Sequence, residues 1–135
     1  MAEQTFQFEL VSPEKLIFSK AVAMVTVPGG EGEYGVLPGH APLITTVQAG
    51  VIEVYADENA PPSDRLFVAG GFAETTPTRC TVLATDAVPV SQLNRAKLDS
   101  EVKALIEKLA SAAEADKPML LAQQAVLAAK IQAAA

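Results

Sequence analysis

The sequence predicts an all-β domain followed by a helical hairpin, and three observations carry that prediction. Up to about residue 88 the chain runs in short apolar segments of alternating or β-branched character, with turn signals roughly every 8–12 residues. From Ser91 to the end there is no glycine, and Ala, Leu, Lys and Glu dominate. Between the two regimes, Val88-Pro89-Val90 marks the change. The expected division is therefore residues 1–88 as a flattened antiparallel sandwich or barrel and residues 89–135 as two antiparallel helices.

Each element has its own signature. In Gln4 to Val11, Phe6, Phe8 and Leu10 share one face and Gln7 and Glu9 the other, the period of a half-buried strand. Ser12-Pro13-Glu14 turns the chain, and Phe18 to Val27 predicts one strand ended by Pro28-Gly29-Gly30. Leu43–Gln48, Val51–Tyr55, Leu66–Ala69, Gly71–Thr75 and Thr81–Thr85 predict further strands, broken at Ala49-Gly50, at Asp57 to Asp64, at Gly70-Gly71 and at Thr76-Pro77-Thr78. Ser91 is the expected N-cap of the first helix, because its hydroxyl can accept from an orphan amide one turn in. Leu98, Val102, Leu105 and Leu109 then form an apolar stripe, widened by Ile106 and Ala113, and Lys103 and Glu107 are spaced for an ion pair. Asp116 is a second N-cap, with Pro118 in the first turn. Met119 to Gln132 predicts the second helix, with Leu120, Val126, Leu127 and Ile131 on its apolar face. Two helices alone bury little, so this hairpin must lean on the sheet, lean on another protein, or move as an arm.

One stretch stands apart. Pro28 to Leu43 holds Gly29, Gly30, Gly32, Gly35 and Gly39, three of the nine prolines, and the chain's only histidine, His40. Residues that free or lock φ, crowded together, prescribe tight turns rather than a slack linker. Two readings follow: a structural double turn between strands, or a rigid exposed docking loop with Glu31 and Glu33 at its tip.

Composition narrows the function. Half of the 135 residues are apolar and 19% are charged, which suits a globular fold. The net charge of −6 is uneven: through Val90 there are eleven acids against four bases, and from Ser91 six bases against five acids. An acidic body without tryptophan argues against nucleic acid and anionic lipid as partners and favours a basic protein surface. The single cysteine, Cys80, lies in an apolar strand-like run, forms no internal disulfide and reads as a buried thiol of a reducing compartment. The opening residues show neither a basic, apolar secretory signal nor, with an acid at Glu3, a transit peptide. There is no Cys/His set for zinc, no Walker glycine motif and no nucleophile elbow, so an interaction protein is the stronger expectation than an enzyme. A free-standing sandwich with a ligand pocket and a helical lid remains open on the residues alone.

The run Gly30-Glu31-Gly32-Glu33-Tyr34-Gly35-Val36-Leu37-Pro38-Gly39-His40-Ala41-Pro42-Leu43 closely resembles the loop of the epsilon subunit of bacterial and chloroplast F-type ATP synthases. FELVSPEKLIFS, FVAGGFAE and TVLATDAV resemble the same family in the same order, and the two-helix tail follows. The resemblance implies a ten-stranded sandwich with a helical hairpin, and a non-catalytic central-stalk subunit between the gamma subunit and the c-ring. It implies that Glu31, Gly32 and Glu33 meet the c-ring loops, and that His40, Ala41 and Pro42 face gamma. It places the chain peripherally, on the cytoplasmic face of the bacterial inner membrane. The helices would reach the alpha and beta subunits and restrain ATP hydrolysis. Some members of the family bind ATP through an Ile/Leu-Asp-x-x-Arg-Ala motif. Here Arg95 and Ala96 remain of that motif, but Gln92 stands in place of the acid and Ser91 in place of the aliphatic. No cofactor is therefore expected.

Overall fold

The computed structural model describes residues 4–134; the Glu3 argument against a targeting segment lies outside them. The chain divides into two compact units between Val90 and Ser91. Among the described residues the first holds eight strands: β1 (Phe6–Val11), β2 (Leu16–Val22), β3 (Met24–Gly29), β4 (Gly32–Val36), β5 (Leu43–Thr46), β6 (Gly50–Tyr55), β7 (Asp64–Thr75) and β8 (Arg79–Pro89). They hydrogen-bond in the order β2-β1-β8-β7-β6-β3-β4, with β5 attached to β7.

The sheet becomes a sandwich because β7 and β8 each change partner midway. Residues 79–83 of β8 pair with β1, the pair running parallel rather than antiparallel as expected throughout. Residues 72–75 of β7 pair with β5, whereas residues 64–68 pair with β6. Two layers result, β2-β1-β8-β7-β5 and β8-β7-β6-β3-β4, sharing the two long strands. The expected ten strands are thus eight continuous ones, two of which serve twice. The expected break between Leu66–Ala69 and Gly71–Thr75 is a bend inside β7, and β8 runs well beyond the expected Thr81–Thr85.

The bend has a local cause. Gly70 and Gly71 both have positive φ, at 70° and 129°. Left-handed backbone of this kind interrupts the two-residue alternation of a strand and favours glycine. Before the bend Leu66 and Val68 face the core; after it Ala73 and Thr75 are buried, so the inward parity has switched. The core fills the space between the layers. Phe8, Leu10, Val27, Ile52, Val54 and Val82 are all fully buried, and the Phe8 and Phe18 rings sit 5.8 Å apart. Cys80 lies in this core, where burial raises its thiol pKa above the usual 9.0 despite a 3.7 Å contact from the Thr75 hydroxyl. It stays a protonated core residue at neutral pH.

Two further expectations are corrected here. Residues 18–27 do not make one strand; β2 ends at Val22 and β3 begins at Met24, with buried Ala23 between. Part of the glycine-rich stretch is not loop at all but strand β4, whose low intrinsic propensity is overridden by pairing along β3 from Val25↔Val36 to Gly29↔Gly32.

The second unit is a helix pair, α1 (Arg95–Ser111) and α2 (Lys117–Ala134), which pack on each other. The N-cap of α1 is Asn94, not Ser91: its Oδ1 accepts from the Lys97 N–H at 3.1 Å. Ser91 is instead inside a 3-10 turn, Val90–Gln92, which postpones the helix. Leu98 and Leu105 of the stripe are buried, whereas Ile106 and Ala113 are exposed and do not widen it. The i,i+4 ion pair on α1 is Arg95–Asp99 at 3.9 Å, in place of Lys103–Glu107. With both partners more than half exposed, it adds little stability. At α2 the Asp116 carbonyl accepts from the Leu120 N–H at 3.2 Å, so Asp116 does stand at the cap position.

A Cβ at Gly71 would run into the Leu83 carbonyl oxygen, on backbone that L-residues avoid. Gly71→Ala is expected to destabilise the β unit by about 2–4 kcal/mol in urea unfolding. Gly35→Ala, with nothing within 4 Å of the new methyl, should stay within about 0.5 kcal/mol.

Candidate functional site

The β3–β4 hairpin closes with a two-residue tip, Gly30-Glu31, between paired Gly29 and Gly32. Gly32 has φ 134°, which suits a residue without Cβ at the end of so tight a reversal. The tip is held from the side by the segment after β5. Gly30 N–H donates to the Thr46 carbonyl at 2.9 Å, and Gln48 N–H donates to the Pro28 carbonyl at 2.9 Å. The Gln48 side-chain amide adds a bond to the Gly29 carbonyl at 2.6 Å. One strand position later, the Tyr34 hydroxyl meets Thr45 Oγ1 at 2.8 Å. The turn is therefore clamped to a neighbouring strand.

Glu31, Gly32 and Glu33 are brought together at this end and are all exposed. Among the described residues no ion pair holds either carboxylate, and both side chains are exposed. His40 lies in the next turn, where its N–H donates to the Leu37 carbonyl at 3.1 Å. Its ring is 6.5 Å from that of Tyr34, and its Nδ1 sits 2.6 Å from the Ala41 carbonyl oxygen. Gly39 N–H donates to the Pro77 carbonyl at 2.8 Å, tying this turn to the β7–β8 connection. Ala41 and Pro42 are exposed. The hairpin end and the His40 turn are thus adjacent, joined through Tyr34.

Arg95 and Ala96 open α1 in the other unit. The Arg95 guanidinium lies 3.9 Å from the Asp99 carboxylate on the exposed side of α1, and Gln92 supplies an amide where the resemblance calls for an acid. Sequence reasoning missed Gln48, Thr45 and Thr46, which position the tip without belonging to the glycine-rich stretch. The only available signal was the polarity of Thr45-Thr46 and Gln48 in a segment otherwise read as a strand. Among the described residues there is no cluster of three or more His, Cys, Asp or Glu side chains able to hold a metal ion, and no helix is long and apolar enough to cross a membrane.

The protein is thus of a two-unit class: a β-sandwich carrying a clamped, exposed acidic hairpin, followed by a helix pair. Residues 5–90 match the family described as ATP synthase, Delta/Epsilon chain, beta-sandwich domain. An ATP synthase epsilon chain of Rhodospirillum centenum is 54% identical over 109 residues, 78% of this chain and 75% of that one. One from Paramagnetospirillum magneticum is 47% identical over 135 residues, 100% of this chain and 98% of its own. Among solved structures, a chain of the Euglena gracilis mitochondrial ATP synthase (OSCP/F1/c-ring, rotational state 1) superposes with a TM-score of 0.77 at 24% identity, covering 93% of this chain and 78% of that one. A chain of the Tetrahymena thermophila mitochondrial ATP synthase central stalk/c-ring has the same fold, with a TM-score of 0.67 at 12% identity over 100% of both chains.

The chain belongs to the ATP synthase epsilon chain family, whose members are non-catalytic subunits of the complex that couples ATP synthesis to proton transport.

Because the Gln48 amide is one of three bonds holding the tip, Gln48→Ala should cost about 0.5–1.5 kcal/mol. It should speed amide exchange at Gly30 well beyond the change at core strands, measured residue by residue by NMR.

Proposed function

We propose that this chain is a rotor subunit of the central stalk, coupling the gamma subunit to the c-ring. The clamped acidic tip carries the proposal. Residues 1–88 act as the docking domain, Glu31, Gly32 and Glu33 meet the polar loops of the c-ring, and His40, Ala41 and Pro42 face gamma. The fold is shared with a chain from a central stalk/c-ring assembly, and that shared fold supports the reading. Rotation loads the contact with torque, so a turn fixed by backbone bonds to a second strand suits the task better than a free loop. Docking of carboxylates on basic loops needs no general base or nucleophile, which agrees with the absence of any catalytic motif in the sequence.

Residues 89–135 form the arm. Through it the chain reaches the alpha and beta subunits and restrains ATP hydrolysis weakly, because α2 carries two bases over 18 residues to offer an acidic partner. The chain works at the cytoplasmic face of the bacterial inner membrane, held there peripherally by the complex.

The test is addition of the chain to a purified alpha-beta-gamma core, as full chain and as a truncation ending at Val90. Binding by both, with slower hydrolysis only for the full chain, is the expected result; failure of either to bind would contradict the role. Glu31→Lys should leave the thermal transition of the β unit in place and weaken binding to the complete, c-ring-bearing complex about tenfold. Unchanged binding and coupling in that variant would remove Glu31 from the contact.

A further inference from the structure

We infer that the outer face of the β2-β1-β8-β7-β5 layer is covered by an apolar surface of the gamma subunit with a Lys or Arg at its rim. This deepens the stalk role proposed above and rests on it. Strand register defines the face. Ala73, Val82 and Leu10 point into the core, so Phe72, Leu83 and Val11 point away from it. Thr46 stands opposite Phe72, Phe72 opposite Leu83, Leu83 opposite Val11, and Val11 opposite Leu16. Residues opposite one another share a face, so these form one row across the layer, about 19 Å long at the usual strand spacing. Ile44, on the same side of β5 as Thr46, adds to the row at one end.

Phe72 is 58% exposed, Leu83 53%, Leu16 54% and Ile44 71%. Among the described residues of the β unit, the other exposed large apolar side chains are Leu37 and Leu43 alone. Exposed apolar side chains scattered singly mean little, but gathered into one row they mark a contact face. Continuity and charge point to the partner. Strand β5 begins directly after Ala41 and Pro42, proposed above to face gamma, and carries Ile44 and Thr46 into the row. The polar loops of the c-ring suit the acidic tip and not an apolar row. A second copy would bring together two units that each hold eleven acids against four bases. Beside the row, Glu9 is engaged by Arg79 at 3.2 Å, whereas Glu74, opposite Ile44, has no ion pair among the described residues. A base at the rim of the partner completes Glu74, and Phe72, between Ile44 and Leu83, is the aromatic anchor of the contact.

Binding to a purified alpha-beta-gamma core, with no c-ring present, tests this directly. Phe72→Thr keeps a β-branched side chain on an exposed strand position, so it should retain the melting transition of the β unit. It should bind the core about thirtyfold more weakly, as loss of an aromatic anchor requires, and Phe72→Leu should recover most of that loss. Hydroxyl-radical labelling of the natural chain needs no variant: labelling at Phe72 and Leu83 should fall about fivefold on binding, because a covered contact excludes water. A natural chain that binds the core with both residues labelled as before, or a folded Phe72→Thr chain that binds as tightly, overturns the sheet-face contact and leaves the stalk role standing. Protection of Phe72 in the isolated chain together with a dimer in sedimentation overturns it in favour of a second copy. A natural chain that does not bind the core overturns both.

Discussion

The architecture hangs on the bend at Gly70-Gly71. Two successive residues of positive φ let one long strand leave β6 and take up β5 without ending. That exchange of partners turns a single eight-stranded sheet into two facing layers with one core. The bend also reaches the end of the β unit that carries Glu31. The Gly71 carbonyl accepts the Val47 N–H, Val47 pairs across to Gly29, and the residues on either side of Val47 hold the hairpin tip. A constraint in the middle of β7 is therefore transmitted, through three consecutive residues, to the position of Glu31. The bend is a folding device and a positioning device at once.

Much of the fold was legible because it depends on local period. The Phe6, Phe8, Leu10 alternation and the Leu98 to Leu109 stripe each report a face, and burial follows both. What was not legible depends on partners distant in sequence. Strand β4 has a glycine at two of five positions and little propensity of its own; it is a strand because β3 offers it a ladder. Ser91 and Asn94 are equally good caps in isolation, and the 3-10 turn at Val90–Gln92 decides between them. Gly70-Gly71 reads as a turn from sequence, and only the uninterrupted register with β8 shows that the strand continues.

The candidate site divides the same way. Its chemistry, two exposed carboxylates in a Gly-Glu-Gly-Glu run beside the only histidine, was readable residue by residue. Its rigidity was not, because the clamp comes from Thr45, Thr46 and Gln48, more than ten residues downstream. For the proposed docking role, rigidity matters as much as charge: a preorganised tip loses less entropy on binding. The two units then differ in kind. The β unit has a core closed over both layers, while the helix pair carries few buried side chains, Leu98, Leu105, Leu120 and Ala133. Elements with so little burial open most easily.

A docking tip clamped by backbone bonds must be rigid in the free chain. Backbone order parameters of residues 29–33, from 15N relaxation of the isolated protein, measure this directly. The expected values match those of the core strands, about 0.85. Values below about 0.6 at Gly30 and Glu31 would mean a turn that orders only on contact, and would contradict a preformed docking site.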